Sequence, residues 1–438
     1  MKQLSHITLR LPFILFLFVF AFSFTDCADK CEETNHFVYY EPIYATWAEI
    51  KASVGVTEPK PLSEIGRIYF KDGILFINEA GNGIHIIDNK NPANPTPLHF
   101  LNIPGNYDLA IRGNTLYADS YVDLVAFDIS NLTKIREINR IEKLFNNYTT
   151  MGMMVSSERG ILTEWKKVER VTVNETSCNA MYQPWGGFYH RNGIAMSESG
   201  DANFSAKTAF APSAASQAGV GGSMARFTIN GDFLYGLDGS NLDVVDVSNQ
   251  AMPVAKNEIP LSWDVETLFP TNNKLFVGSR TGMYIFDLQE PTKPTLLSHY
   301  AHVRSCDPVV VEGNYAYVTL RSGSACQGFT NQLEVIDISN LKAPTLVKTY
   351  PMTNPFGLGI DDGILFICDG DDGLKAYNAK NVLTISANQL AHYKNINAFD
   401  IIPFNKVAMM IGKNGLYQYD YSDIKKIKLI SQLPIVTE

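Results

Sequence analysis

A short apolar segment that ends in Asp or Asn recurs along the chain and dominates its pattern of hydrophobic and polar positions. The clearest copy is Leu333-Glu334-Val335-Ile336-Asp337. The seven copies end at Asp88, Asp128, Asp246, Asp287, Asp337, Asn378 and Asp420, with spacings of 40, 118, 41, 50, 41 and 42 residues. A period near 40 residues built from short strands is typical of one propeller blade per repeat.

Each repeat predicts four short strands, which in the second repeat cover 108–112, 115–120, 123–130 and 135–141. The first two strands meet in every repeat at a turn rich in Gly, Asn and Asp, as in Lys71-Asp72-Gly73, because these residues adopt positive φ most cheaply. We therefore predict an all-β fold, a seven-bladed β-propeller of four-stranded blades over residues 65–438. Six or eight blades are the alternatives.

One interval breaks the period, because 78 extra residues separate Asp128 from Asp246. Within it, residues 160–173 predict a β-hairpin arm, and the small-residue tract 206–222 predicts a flexible segment. The excess is nearly two periods, so a degenerate eighth blade is an alternative. It carries no second-strand or third-strand pattern, and we predict a loop insertion at about residues 142–224, between the second and third blades.

The N-terminal 27 residues predict a signal peptide with a candidate lipobox. Lys2 and Arg10 precede the apolar run 11–24, which is short for a membrane span. Cys27 is then a candidate lipid anchor, although Phe24-Thr25-Asp26 is a poor lipoprotein signal and simple secretion is the alternative. Residues 28–64 predict a tail or linker with an edge strand or a short helix. We expect an exported protein, either an outer-membrane lipoprotein or a periplasmic or cell-surface protein, that contacts the membrane through its lipid anchor only.

The net charge and the spacing of the cysteines exclude some classes of function. The chain has 36 Lys and Arg against 45 Asp and Glu, a net charge of −9, and no basic block, so we expect no nucleic-acid partner. None of the six cysteines forms a C-x-x-C pair or a zinc-like Cys/His cluster. Cys368 follows an apolar run and predicts a buried thiol. Cys306 starts the first strand of the fifth repeat and Cys326 lies in the loop after its second strand, so both fall on the same face. They predict a disulfide worth about 3 kcal/mol, with a pair of free thiols as the alternative.

The segments 333–337 and 242–246 resemble the repeat of the LVIVD-repeat family of exported bacterial β-propeller proteins. The similarity extends to 83–89, 103–106, 221–227 and 305–309, and it covers about residues 65–435. The start at Cys27 looks like that of Bacteroidetes-type envelope lipoproteins. The resemblance implies a propeller and an envelope location, but no activity. The last two repeats, with Asn378 and the polar Gln418, depart from the family pattern.

Loop elaboration on one face predicts where a ligand binds. The insertion, the loop 321–331 and the acidic loop 369–373 all fall on the face that joins one blade to the next. Counting seven or eight residues back from each second strand places Asp108, Glu266 and Asp307 at the channel mouth on that face. These carboxylates are candidates to bind Ca²⁺ or a cationic ligand. In the alternative, each accepts backbone N–H groups and holds the strand entry. We expect no other cofactor.

Further candidate binding residues map to the same face. Arg280, Arg304 and Arg321 are candidates to pair with these carboxylates or to bind an anion, and an inter-blade ion-pair network is the alternative. Tyr107, together with Tyr121, Trp185 and Trp263, offers stacking surface for a sugar or peptide, or else packs in the core. The loop of Asp369, Asp371 and Asp372 lacks the Glu of an EF-hand-like site and predicts a solvated acidic turn.

These patterns favour a non-enzymatic binding or scaffolding protein of the cell envelope. Its protein or glycan partner would contact the face with the long loops. The sequence shows no nucleophile motif and no phosphate-binding loop. The alternative is a hydrolase or lyase acting on a glycan, peptide or lactone, with Asp108, Glu266 and Asp307 as acid, base or metal ligands.

Overall fold

The computed structural model describes residues 30–145, 155–156, 159–177, 218–262, 264–302, 308–323 and 330–436. Within these residues, seven antiparallel sheets of four consecutive strands form the blades of a propeller, and the predicted fold class is confirmed. The chain divides into two compact units, Ala45–Ile161 with Asn203–Glu438, and Met1–Tyr44 with Leu162–Ala202. The first of these contains the propeller.

The elements follow one another in a regular order. Ahead of the blades come β1 (Lys30–Ala45), α1 (Trp47–Ser53) and β2 (Gly55–Thr57). The first two blades contain β3 (Ile65–Lys71), β4 (Ile74–Glu79), β5 (Gly83–Asp88) and β6 (Thr96–Asn102), then β7 (Leu109–Arg112), β8 (Thr115–Ser120), β9 (Asp123–Asp128) and β10 (Arg136–Ile141). The interval that follows contains β11 (Val155–Ser156), β12 (Gly160–Ser177) and β13 (Val220–Gly221).

Five further blades complete the ring. The third and fourth contain β14 (Phe227–Asn230), β15 (Phe233–Asp238), β16 (Asn241–Asp246) and β17 (Val254–Pro260), then β18 (Val265–Thr271), β19 (Lys274–Ser279), β20 (Gly282–Asp287) and β21 (Thr295–Ala301). The fifth contains β22 (Val309–Glu312), β23 (Tyr315–Leu320), β24 (Gln332–Asp337) and β25 (Thr345–Pro351). The last two contain β26 (Leu358–Asp361), β27 (Ile364–Cys368), β28 (Leu374–Asn378) and β29 (Gln389–Tyr393), then β30 (Ala398–Phe404), β31 (Val407–Gly412), β32 (Gly415–Asp420) and β33 (Lys428–Pro434).

The innermost strands contact one another in ring order, from β3 through β7, β14, β18, β22 and β26 to β30, which returns to β3. The last blade supplies all four of its own strands, so no shared sheet closes the ring. A parallel bridge between Leu62 and Ile435 joins the two ends instead, and the N–H of Val436 donates to the carbonyl of Leu62 at 3.1 Å. Apolar side chains of the second strands, such as Leu75, fill the seams between blades and are fully buried.

The turn chemistry of the repeats explains their sequence. At all seven turns between the first and second strands at least one residue has positive φ, as at Asp72 and Gly73, with φ of 50° and 79°. The residue that ends each repeat core accepts the backbone N–H two positions later through its Oδ1, at 2.8–3.1 Å. This Asx turn starts the connection between the third and fourth strands. Asn378 makes the same bond as the aspartates. The sixth and seventh repeats each form a complete four-stranded blade, although both depart from the family pattern.

Residues 218–226, the channel segment, lie among the innermost strands at the centre of the ring. Its strand β13 pairs with β3, and Ala218 bridges to Arg112 at the end of β7. On the opposite side, the N–H of Leu268 donates to the carbonyl of Ala225 at 2.8 Å. The expectation of a flexible tract is therefore wrong for residues 218–222, which pair their backbone with the blades. Residues 206–217 lie outside the described part of the chain.

The other unit contains most of β1 and β12, which pair with each other. The predicted hairpin arm at 160–173 is wrong, because β12 is one strand of 18 residues whose partner begins at Lys30. Phe37, Tyr40 and Trp165 on these strands are exposed. In the linker, β2 adds to the outer edge of the first blade, and Thr46 and Glu49 form a capping box at α1. No described helix has the length and apolar character needed to cross a membrane.

Candidate functional site

The channel has two ends, which the strand directions define. The hairpin end carries the turns between first and second strands, and the loop end carries the blade connections and the loops between second and third strands. The channel segment runs from Ala218, beside Arg112 at the hairpin end, to Arg226, beside Asp108 at the loop end. The insertion therefore returns through the channel from the hairpin end, and the prediction that it lies only on the loop face is wrong for this part.

Asp108 stands at the entry of β7 and holds the end of the channel segment. Its Oδ1 accepts the N–H of Leu109 at 2.7 Å, and its Oδ2 accepts the N–H groups of Arg226 and Phe227. The Nε of Arg67 is 3.7 Å from Oδ2. Burial raises the pKa of Asp108 to about 6, while Arg67 and the backbone N–H groups oppose this rise. The carboxylate thus has the structural role given above as the alternative to ligand binding.

Glu266 has a different partner from Asp108. It falls in a bulge between Val265 and Thr267, so it lies one position away from the place equivalent to Asp108. Its Oε1 accepts from the Nε of Arg280 at 2.9 Å. Arg321 lies with its guanidinium carbon 4.0 Å from the centre of the Phe356 ring, and burial lowers its pKa while Glu266 opposes that effect. Arg280 therefore pairs with Glu266, and the charge of Glu266 also acts on Arg321.

Asp400 is the residue that our sequence analysis missed. It occupies the place in β30 that Asp108 occupies at β7, and counting seven residues back from Val407 would have found it. It is buried, and its Oδ1 accepts the N–H of Ser223 at 3.3 Å. The hydroxyl of Ser223 accepts the N–H of Leu358 at 2.9 Å. The seventh and sixth blades thus hold the channel segment from the side opposite Asp108.

Two of the predicted site residues, Asp307 and Arg304, lie outside the described residues, as do Cys27, Cys306 and Cys326. The three-carboxylate site, the disulfide and the lipid anchor therefore stay predictions. Among the described residues, no group of three His, Cys, Asp or Glu side chains is arranged to hold a metal ion.

The acidic loop is solvated only in part, because Asp371 is exposed while a lysine neutralises Asp369 and Asp372. Asp369 is fully buried and accepts the N–H groups of Thr353 and Asn354. The Nζ of Lys375 pairs with both Asp369 and Asp372, and these carboxylates raise the pKa of the lysine against the effect of burial. Cys368, just before the loop, is a buried free thiol as predicted, and burial raises its pKa.

The predicted stacking residues are mainly structural where they are described. Tyr107 is half-buried, its N–H donates to Oδ1 of Asp119 at 2.8 Å, and burial raises its pKa to about 12. Tyr121 is 6% exposed and packs its ring against Gly105, where an added Cβ would lie 2.5 Å from the ring. Trp185 and Trp263 lie outside the described residues.

A cavity of about 950 Å³ opens at the hairpin end, away from every predicted site residue. Phe70 and Phe404, with ring centres 5.1 Å apart, line it together with Val220 of the channel segment. Its charged groups are already paired, since Arg112 bonds to Asp232 and to the carbonyls of Gly231 and Val247. The cavity therefore has mixed polar and apolar walls, and its charges nearly balance.

The LVIVD repeat model matches three segments, residues 106–142, 221–259 and 304–352. These correspond to the second blade, to the third blade with the end of the channel segment, and to the fifth blade. The protein is an LVIVD-repeat β-propeller. A search of curated protein sequences finds no match.

Several solved structures resemble the LVIVD-repeat propeller in fold. A protein from Lactobacillus plantarum has a TM-score of 0.51 at 11% identity, over 85% of this chain and 97% of that one. The computationally designed Ika8 protein has a TM-score of 0.49 at 10% identity, over 87% and 91%. PorZ, a surface component of the type-IX secretion system of Porphyromonas gingivalis, has a TM-score of 0.46 at 11% identity, over 87% of this chain and 40% of its own. At these identities the likeness concerns the fold alone.

Proposed function

We propose that the protein is a non-enzymatic binding or scaffolding protein of the cell envelope, and that a protein or glycan partner contacts the loop end of the propeller. The observation that carries this proposal is the use of Asp108. Its two oxygens accept three backbone N–H groups and hold the channel segment in place. An acid or base for hydrolysis must reach a substrate proton, and this carboxylate is enclosed.

The occupied channel supports the same conclusion. Residues 218–226 bond to the innermost strands of several blades, so a partner meets the rim of the ring rather than its interior. The exposed side chains of the blade connections and of the loops between second and third strands then form the contact surface. Lys394 and Lys413 are exposed examples.

A photocrosslinking experiment in the native cells tests which end is used. A photoreactive amino acid would replace Lys394 or Lys413 at the loop end, and Asn314 or Lys342 at the hairpin end as matched exposed controls. We expect adducts from the loop-end positions and not from the controls. Adducts from the hairpin end alone, or from neither end, would contradict the proposal.

The envelope location rests on the N-terminal sequence and needs its own test. Lys2 and the apolar run 11–24 support export, and Cys27 supports lipid attachment. Metabolic labelling with a fatty-acid analogue should mark the wild-type protein and leave Cys27→Ser unlabelled. Equal labelling of both proteins, or of neither, would exclude the lipid anchor at Cys27, and simple secretion would then explain export.

A further inference from the structure

Three carboxylates share one face of the third blade near the loop end: Asp238, Asp243 and Glu258. Asp243 on β16 lies directly opposite Gly236 on β15 and Glu258 on β17. Asp238 is two residues from Gly236 and therefore points to the same face. Val245, two residues from Asp243, packs with the core of the second blade. The three carboxylates thus line the seam between the second and third blades, and we call them the blade 3 acidic face.

Asp243 is the unusual member of this group. It is only 4% exposed, and its Oδ2 has no hydrogen-bond partner among the residues that the structure describes. Gly236 beside it contributes no side chain, and the stacked rings of Phe145 and Phe227 cover that glycine. A buried polar atom without a partner is rare in folded proteins and calls for an explanation, such as a bound ion or ligand.

Among the described residues, the groups whose charges act on Asp243 are acidic. The charged neighbours that act on it are Asp238 and Glu258, and both are negative. By contrast Asp246, three residues along the same strand, pairs with Lys256 at 3.1 Å. A cation beside Asp243 and Glu258 would therefore be attracted more strongly than one beside the Asp246–Lys256 pair.

Glu258 provides an entry to the buried carboxylate. It is exposed on the outermost strand, and the side-chain amide of Asn241 donates to its Oε1 and orients it. A cation that binds Glu258 at the surface is then next to Asp243 across the strand pair. The two carboxylates are thus cross-strand neighbours, one exposed and one buried.

We propose that the blade 3 acidic face binds a primary ammonium group, which pairs with Glu258 and Asp243. An ammonium carries three donors and one charge on a compact head, and its carbon stem tolerates apolar neighbours such as Phe145. A metal ion fits less well, since Ca²⁺ requires six to eight oxygen ligands. This site is separate from the contact surface proposed above.

Thermal unfolding of the full chain in three chloride salts of equal concentration tests the site. The assay is run at about pH 9, because burial raises the pKa of Asp243 to about 8 and the carboxyl must be ionised to pair with an ammonium group, which still holds its proton at that pH. The cations are sodium, methylammonium and tetramethylammonium, the last of which has the charge but no N–H donor. We expect methylammonium alone to raise the unfolding midpoint, with saturation as its concentration rises. Asp243→Asn and the exposed Glu258→Gln should lose this rise, while the matched control Asp246→Asn should keep it.

A second arm distinguishes a small amine from a protein side chain as the source of the ammonium group. The peptide acetyl-Gly-Lys-Gly-amide is compared with its Gln counterpart in the same assay. A rise with the Lys peptide supports recognition of a protein lysine, and a rise with methylammonium alone supports a small amine. Equal midpoints in all three salts, or the same methylammonium rise in Glu258→Gln and Asp243→Asn as in wild type, would overturn the proposal.

Discussion

Asn89 and Gln418 exchange two hydrogen bonds although 329 residues separate them in the chain. The amide of Asn89 donates to Oε1 of Gln418 at 2.9 Å, and the amide of Gln418 donates to Oδ1 of Asn89 at 2.7 Å. Both side chains are buried and join the seventh blade to the first. The polar residue that departs from the repeat pattern therefore contributes to ring closure.

Replacement of this glutamine tests its contribution. Gln418→Ala removes the side-chain amide that bonds to buried Asn89, and we expect the free energy of unfolding to fall by about 1–3 kcal/mol in urea titrations. The double variant with Asn89→Ala should lose less than the sum of the single changes, because both remove the same pair. The exposed Gln289→Ala is the control and should change stability by less than about 0.5 kcal/mol. Additive losses would mean that the pair does not act as a unit.

The channel segment can be tested with one added methyl group. A Cβ at Gly222 would lie 2.1 Å from Oδ2 of Asp400 and 3.1 Å from Ile68, so Gly222→Ala should destabilise the protein by about 1–3 kcal/mol. Gly55→Ala is the matched control, because no atom lies within 4 Å of its added Cβ. Thermal unfolding of the two variants provides the comparison. Equal midpoints would show that residues 218–226 do not pack against the seventh blade.

Stability should depend on pH through Asp243. Burial raises its pKa from 3.8 to about 8, and Asp238 and Glu258 add to the rise. Between these pH values the folded protein keeps a proton that the unfolded chain has lost, so stability falls as pH rises. Asp243→Asn removes this dependence. Relative to the variant, we expect wild type to lose on the order of 1 kcal/mol per pH unit between pH 5 and 8 in denaturant titrations.

Asp246 on the same strand provides a control of opposite sign. Bonds from Ser248 hold its pKa below the usual range, so its contribution is present at neutral pH and is lost as pH falls through the acid range. Asp246→Asn should therefore leave the slope between pH 5 and 8 unchanged. If Asp243→Asn shows the same slope as wild type, a group other than Asp243 causes the pH dependence of stability.

The cysteines separate into two chemical classes. The Cys368 thiol is buried, so it should react with iodoacetamide only after unfolding. Cys306 and Cys326 are predicted to form a disulfide and should resist alkylation in denaturant until a reductant is added. Mass spectrometry of the peptides distinguishes the cases. Alkylation of both Cys306 and Cys326 without reductant would show that they are free thiols and not a disulfide.

Most of the fold could be predicted because local rules determine it. The Gly, Asn and Asp residues of the hairpin turns have the positive φ that their types favour, and the final Asp of each repeat bonds to the backbone two residues later. Both signals depend on neighbouring residues alone. Gln418 shows the limit of this approach, because its partner lies in the first blade and no local pattern points to it.

The candidate site was harder to predict for two physical reasons. Glu266 is a bulge residue one place before the position equivalent to Asp108, and a count that allows seven or eight residues does not separate these two places. The partners of the channel segment, such as Asp400 and Leu358, are more than one hundred residues away in the chain. Its small residues fit a narrow space among strands, and the same composition is typical of a flexible linker.

The position of residues 218–226 inside the ring has a consequence for assembly. The segment bonds to the first, second, fourth, sixth and seventh blades, while β30 and β3 contact each other beside it. Closure of the ring and docking of this strand are therefore coupled. A chain that fails to seat residues 218–226 would leave five blades without these hydrogen-bond partners.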